Sequence, residues 1–298
     1  VLFLASVSTL SAIDAVSSVA SAQDRLIVYE VKPSDTDSRI ERFDAPHLIL
    51  FYQHSEPQNL FLFMSGTGGM PAEALSFLKL AAKAGYRVVS LAYNDEPAIA
   101  QACFRTLSTS CAERVRQKRI FGDNVSKDID DYSFESIVSR LTRLLIKLDE
   151  DHPDDGWSSY LSNGNPLWPR IAVAGHSQGG GMASFIAKRE SVARVVVLSG
   201  GWDKGTRGAS RRNTEDILAS WYAIPSVTPP EKWFAAYHAK EPNAKLIATS
   251  YQMMHIPDAN IRVIVNEPHR SSNYHSSVVG NSANRLNWEY LIGRSRAN

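Results

Sequence analysis

Short apolar runs alternate with longer stretches of helical periodicity along most of the chain. The runs at 26–31, 48–52, 60–64, 87–92, 171–174, 194–198, 232–237 and 261–265 predict strands. Leu60-Phe-Leu-Phe-Met64 and Val195-Val-Val-Leu198 are apolar at every position, which predicts strands covered on both faces. The stretches at 72–84, 134–148, 180–189, 214–221, 244–254 and 284–292 predict helices. The clearest is carried by Phe134, Ile137, Val138, Leu141, Leu144, Leu145 and Leu148, one continuous stripe on the face of a 3.6-residue period. An opening antiparallel portion followed by βαβ units predicts an α/β fold: a mostly parallel, eight-stranded sheet with helices on both faces.

Two segments fall outside this alternation. Residues 94–126 follow the fourth predicted strand at its carboxyl end, the side on which open α/β sheets bind ligands. They read either as a partial lid or as surface decoration. Residues 151–169, with Pro153, Pro166 and Pro169, read as an irregular loop. Neither a repeat nor a linker interrupts the pattern, so residues 23–298 read as one domain. Trp157, Trp168, Trp202, Trp221 and Trp233 suit either a groove or the core, and core packing is the simpler role.

Charge and cysteine content narrow the class. A net charge of +1 gives no reason to expect nucleic acid or an anionic membrane as partner. The basic run Arg114-Val-Arg-Gln-Lys-Arg119 reads as a solvated loop or helix face. Residues 1–22 read as a secretory leader: Val1 to Ile13 is apolar and small, and Ala20-Ser-Ala22 matches a cleavage pattern. The stretch is too interrupted for a membrane span. It implies a secreted or periplasmic protein, in which Cys103 and Cys111 would close a small disulfide loop; two free buried thiols are the alternative.

The chemistry concentrates at Ile171-Ala-Val-Ala-Gly-His-Ser-Gln-Gly-Gly-Gly-Met182. An apolar run ends in Gly175-x-Ser177-x-Gly179 and opens into helix-friendly residues. This is the pattern of a nucleophile elbow, a sharp strand-to-helix turn with one serine at its apex. A phosphate-binding turn is the rival reading, but no Lys-Ser/Thr pair follows the glycines, which excludes a P-loop.

With the elbow after the fifth of eight strands, the chain resembles the α/β-hydrolase superfamily over roughly residues 25–295. The resemblance implies the chain order serine, acid, histidine. It makes Ser177 the nucleophile. It places the base in the loop after the last strand, where His275, followed by Ser276-Ser-Val-Val279, is preferred over His269. It places the acid after the seventh strand, at Glu241, with Asp203 after the sixth as the rival; Asp258 lies at the wrong edge of the sheet. It builds an oxyanion hole from two backbone amides, those of Gln178 and Thr67, the latter in Ser65-Gly-Thr-Gly-Gly-Met70, where Ser65 replaces the family's histidine. His176 points the wrong way for a base, and His54 reads as a surface residue. His47, His152, His238 and His255 lack metal-ligand spacing, so neither metal nor organic cofactor is inferred.

The resulting expectation is a secreted serine hydrolase that cleaves carboxylic esters through an acyl-serine intermediate. The substrate would be a small-molecule or polymer ester. The same triad would serve an amidase, a thioesterase or a polymer-ester hydrolase. A hydrolase-fold binding protein without turnover is the reading from another class.

Overall fold

The computed structural model describes residues 25–53, 59–104, 106, 108–207, 215–268 and 273–293. The expected leader at 1–22, His54 and His269 lie outside them.

Eight strands form one sheet: β1 (Leu26–Val31), β2 (His47–Tyr52), β3 (Leu60–Met64), β4 (Arg87–Leu91), β5 (Ile171–His176), β6 (Arg194–Leu198), β7 (Trp233–His238) and β8 (Ile261–Ile264). Their order across the sheet is β1-β2-β4-β3-β5-β6-β7-β8. The β1–β2 and β2–β4 pairs are antiparallel and the remaining neighbours parallel. All eight predicted strands are present, with ends moved by at most two residues.

Period-two alternation, with both faces covered, explains why β3 and residues 195–198 of β6 are apolar throughout. Leu60, Leu62 and Met64 of β3 face one core cluster, while Phe61 and Phe63 face a second on the other side of the sheet. Val195 and Val197 of β6 likewise oppose Val196 and Leu198. The first cluster is closed by α2 (Cys111–Phe121), α3 (Ile137–Asp151), α4 (Gln178–Arg189) and α5 (Ala244–Met253). The second is closed by α1 (Leu75–Lys83), α6 (Tyr274–Gly280) and α7 (Arg285–Ile292). The stripe predicted at 134–148 becomes α3, preceded by a 3-10 turn over Ser133–Glu135 and capped by Ser136, whose Oγ accepts from the Ser139 amide at 3.2 Å. Ile137, Leu141, Leu144, Leu145 and Leu148 of α3 are fully buried, each contributing about 1.5–3 kcal/mol by burial.

Three expectations are corrected. The helix predicted over 214–221 is not formed. Glu215–Leu218 pairs antiparallel with Lys204–Arg207 as a small hairpin, and Trp221 sits in a 3-10 turn over Ser220–Ala223. Sheet pairing and burial of Trp221 override the local helical periodicity there. The basic run 114–119 lies on α2, but it is not a solvated face: Arg116 and Arg119 are each 1% exposed. Each is held by a carboxylate outside the helix, Asp203, 87 residues away, for Arg116 and Asp131, 12 residues away, for Arg119. The segment 94–126 packs inward as well, burying Cys111, Ala112, Val115 and Ile120 in the first core cluster. Within it Cys103 and Cys111 form a disulfide. Trp157, Trp168, Trp221 and Trp233 are core residues, whereas Trp202 is half-buried at the carboxyl edge of the sheet.

Candidate active site

Because β3 to β8 run parallel, the loops after β3, β4, β5, β6, β7 and β8 all emerge at one edge. This brings together residues that are up to 210 positions apart in the chain, from Ser65 to His275.

Ser177 stands between β5 and α4 with φ 56° and ψ −122°, a conformation that side-chain-bearing residues rarely adopt. The turn closes only because its neighbours lack a Cβ. One on Gly179 would lie 2.0 Å from the Met64 carbonyl oxygen of β3. Ser177 is also the N-cap of α4, so the positive end of the helix dipole and the free amides of its first turn face the space above the hydroxyl. Gln178 is the first residue of α4, and its amide is one of those without an intrahelical acceptor.

The loop after β3 leans on Ser177. A Cβ on Gly66 would stand 2.9 Å from that of Ser177. The loop is pinned from both ends: the Tyr93 hydroxyl donates to the Ser65 carbonyl at 2.7 Å, and Ser65 Oγ donates to the Met70 carbonyl at 3.1 Å. The Gly69 amide closes a turn on the Gly66 carbonyl at 2.9 Å. Thr67 is exposed at its tip and lines the cleft beside Ser177.

His275 and Glu241 are brought into contact, Nδ1 to Oε2, at 2.6 Å. The Glu241 side chain is buried, and its other oxygen accepts from the His238 amide at 2.8 Å and from Ser199 Oγ at 2.9 Å. A carboxylate so held can only accept, so Nδ1 of His275 carries the hydrogen and Nε2 is left as the acceptor. Trp202 meets the His275 ring edge-on, with centroids 5.1 Å apart. His176 lies on the other side, 4.6 Å between centroids, and its Nε2 donates to the His275 carbonyl at 3.1 Å. Burial, with His275 nearby, pushes His176 down to about 3, so it is a neutral prop rather than a second base.

Asp203 is drawn elsewhere. Its two oxygens accept from Arg116 Nε at 2.6 Å and Nη2 at 2.7 Å, and from Trp221 Nε1 at 2.9 Å. Burial alone disfavours the Arg116 charge, but the adjoining carboxylate outweighs it and raises the guanidinium above its ordinary value.

Several contacts that shape this edge were not legible in the sequence. Ser199 holds Glu241, and Trp202 flanks His275. The Gln178 side chain straps the loop after β4, with Oε1 accepting from the Ile99 amide at 2.8 Å and Nε2 donating to the Asp95 carbonyl at 2.6 Å. Only Ser199-Gly-Gly-Trp202, a polar and glycine-rich end to an apolar strand, offered a local signal.

The strand order, the crossover of β3 and β4, and the sharp strand-to-helix turn at Ser177 after β5 decide the architecture. The chain has the α/β-hydrolase fold. Solved structures similar to it include a putative dienelactone hydrolase from Klebsiella pneumoniae at 13% identity, covering 91% of this chain and 100% of that one, with a TM-score of 0.45. An S-formylglutathione hydrolase from Staphylococcus aureus is 8% identical, over 90% of this chain and 99% of that one, with a TM-score of 0.48. An esterase of the bacterial hormone-sensitive lipase family is 17% identical, over 90% and 84%, with a TM-score of 0.48. No protein-family model and no curated protein matches the chain.

Proposed function

We infer that this protein is a serine hydrolase that cleaves carboxylic esters through an acyl-serine intermediate. The observation that carries the reading is the cleft itself. It is lined by a serine in a strained strand-to-helix turn and by a histidine whose Nδ1 is fixed by a buried carboxylate.

In this reading Ser177 Oγ attacks the ester carbonyl carbon while its proton passes to His275 Nε2. The negative charge that develops on the carbonyl oxygen is met by the Thr67 amide of the loop after β3 and the Gln178 amide at the start of α4. His275 returns the proton to the leaving oxygen, the alcohol departs, and the acyl group remains on Ser177. A water then gives its proton to His275 and attacks the acyl carbon; the bond to Ser177 Oγ breaks, His275 returns the proton to that oxygen, and the acid is freed. Glu241 keeps the imidazole in one tautomer and stabilises its positive form in both halves. The Cys103–Cys111 disulfide supports an oxidising compartment, secreted or periplasmic, as the place of action.

The test is hydrolysis of a short acyl ester by the wild type and by Ser177→Ala. Turnover should fall to background in the variant, with its far-UV circular dichroism unchanged. Equal rates in the two proteins would end this reading.

A further inference from the structure

Two cavities meet at Ser177, and they differ in size and in what they contain. One, of about 330 Å³, is lined by Gly66–Met70, Glu73, His176 and His275. The other, of about 70 Å³, is lined by Ala98, Ile99, Arg116, Gln178, Trp202 and Asp203. Ser177 and Thr67 border both. His275 borders only the first.

That asymmetry assigns the sides, given the serine-hydrolase reading on which this inference rests. The proton taken from Ser177 must be handed to the leaving oxygen, so the leaving group lies on the side that contains His275. The acyl chain therefore points into the smaller cavity. A water's share of liquid volume is about 30 Å³ and a methylene is of that order, so the smaller cavity takes about two to three carbons beyond the carbonyl. We propose that Ile99 and the buried Arg116–Asp203 pair set an upper limit of about four carbons on the acyl chain, while the opposite side admits a much larger leaving group.

The floor and inner wall of the small cavity are held in place, while its rim, at Ala98, Ala100 and Trp202, reaches solvent. Its wall is strapped by the Gln178 side chain to the Ile99 amide and the Asp95 carbonyl. Arg119 donates to the Glu96 and Pro97 carbonyls behind that wall. Its floor is an ion pair with both partners buried, and Arg116 also donates to the Gln178 carbonyl at 3.3 Å. A Cβ on Gly181 would stand 2.3 Å from Arg116 Nη2, so the guanidinium has no room to withdraw beneath the helix. A longer acyl chain would have to displace Ile99 or strip a buried ion pair of its contacts.

The test is kcat/KM for p-nitrophenyl acetate, butyrate, hexanoate and octanoate with the wild type, Ile99→Ala and Met70→Ala, alongside fluorophosphonate labelling of Ser177. The wild type should favour acetate or butyrate, with octanoate at least about a hundredfold lower, since each ill-fitting methylene is worth about tenfold or more. Ile99→Ala should recover hexanoate by about tenfold. Met70→Ala, on the leaving-group side, should leave the chain-length profile where it was. A wild type that is labelled and hydrolyses octanoate as well as butyrate overturns this inference alone. A Met70→Ala variant that shifts the chain-length limit while Ile99→Ala does not reverses the sides and overturns it too. Absence of both labelling and hydrolysis removes the serine-hydrolase reading and this inference with it.

Discussion

Replacing Asp203 by alanine separates a carboxylate that holds the fold from one that serves the reaction. Asp203 is 9% exposed and Arg116 1%, and the two make a bidentate pair at 2.6 and 2.7 Å. Removing one partner leaves a buried guanidinium without its counter-charge, which costs about 3–5 kcal/mol. The loss of the acceptor for Trp221 Nε1 lies within the same range of effects. For a chain of this size about 4 kcal/mol corresponds to roughly 10 °C in Tm. Thermal melts at pH 7 should show a drop of that order in Asp203→Ala. Fluorophosphonate labelling of Ser177, taken well below the melt, should stay within about tenfold of wild type. The double variant Arg116→Met/Asp203→Leu should melt above Asp203→Ala, because it removes the unpaired charge and leaves only the Trp221 N–H without an acceptor. A variant that melts like the wild type yet resists labelling would refute the reasoning and make Asp203 the acid of the reaction.

Glu241→Gln preserves the shape of the carboxylate but not its charge, and should lower kcat by about a thousand- to ten-thousandfold with little change in Tm; activity within tenfold would remove Glu241 from the proposed triad. Reduction of Cys103–Cys111, whose sulfurs are 8 positions apart in sequence, should cost about 2–3 kcal/mol in a urea titration under reducing conditions, and an unchanged midpoint would contradict this. Burial, reinforced by neighbouring Glu96, raises Asp95 to about 6. The folded protein therefore keeps a proton between about pH 4 and pH 6 that the unfolded chain has released, and the stability this contributes is lost as pH rises through about 6. Asp95→Asn should accordingly melt higher than wild type at pH 8 and equal to it near pH 4, and the opposite trend in the difference would count against the buried ionisation.

What the sequence disclosed was what depends on near neighbours. The elbow was legible because the geometry of Ser177 is enforced by glycines two residues to either side. The strands were legible because two-sided burial leaves no polar position in β3 and none in β6 after Arg194. The burial of Arg116 was not, since its partner Asp203 lies 87 residues away and four basic residues in six look solvated from the sequence alone. Glu241 and Asp203 were likewise open rivals in the sequence. Both follow sheet strands on the same edge, and only the positions of Ser199, His238 and Arg116 send one to His275 and the other to a guanidinium. The helix α6 that carries His275 was missed as well; its cap, the Asn273 side chain accepting from the Ser276 amide at 2.8 Å, precedes small residues with no apolar period. The Gln178 side chain gave no signal at all, because its two partners come from a different loop.

In the proposed mechanism Ser177 is an activated nucleophile whose base is His275. Fluorophosphonate labelling of the wild type, Ser177→Ala and His275→Ala, with peptide mapping of the adduct, tests it most directly. A single adduct on Ser177 is expected, absent from Ser177→Ala and formed at least about a hundredfold more slowly in His275→Ala. Folded wild-type protein that takes no label, or labelling of Ser177 that is indifferent to the loss of His275, would contradict it.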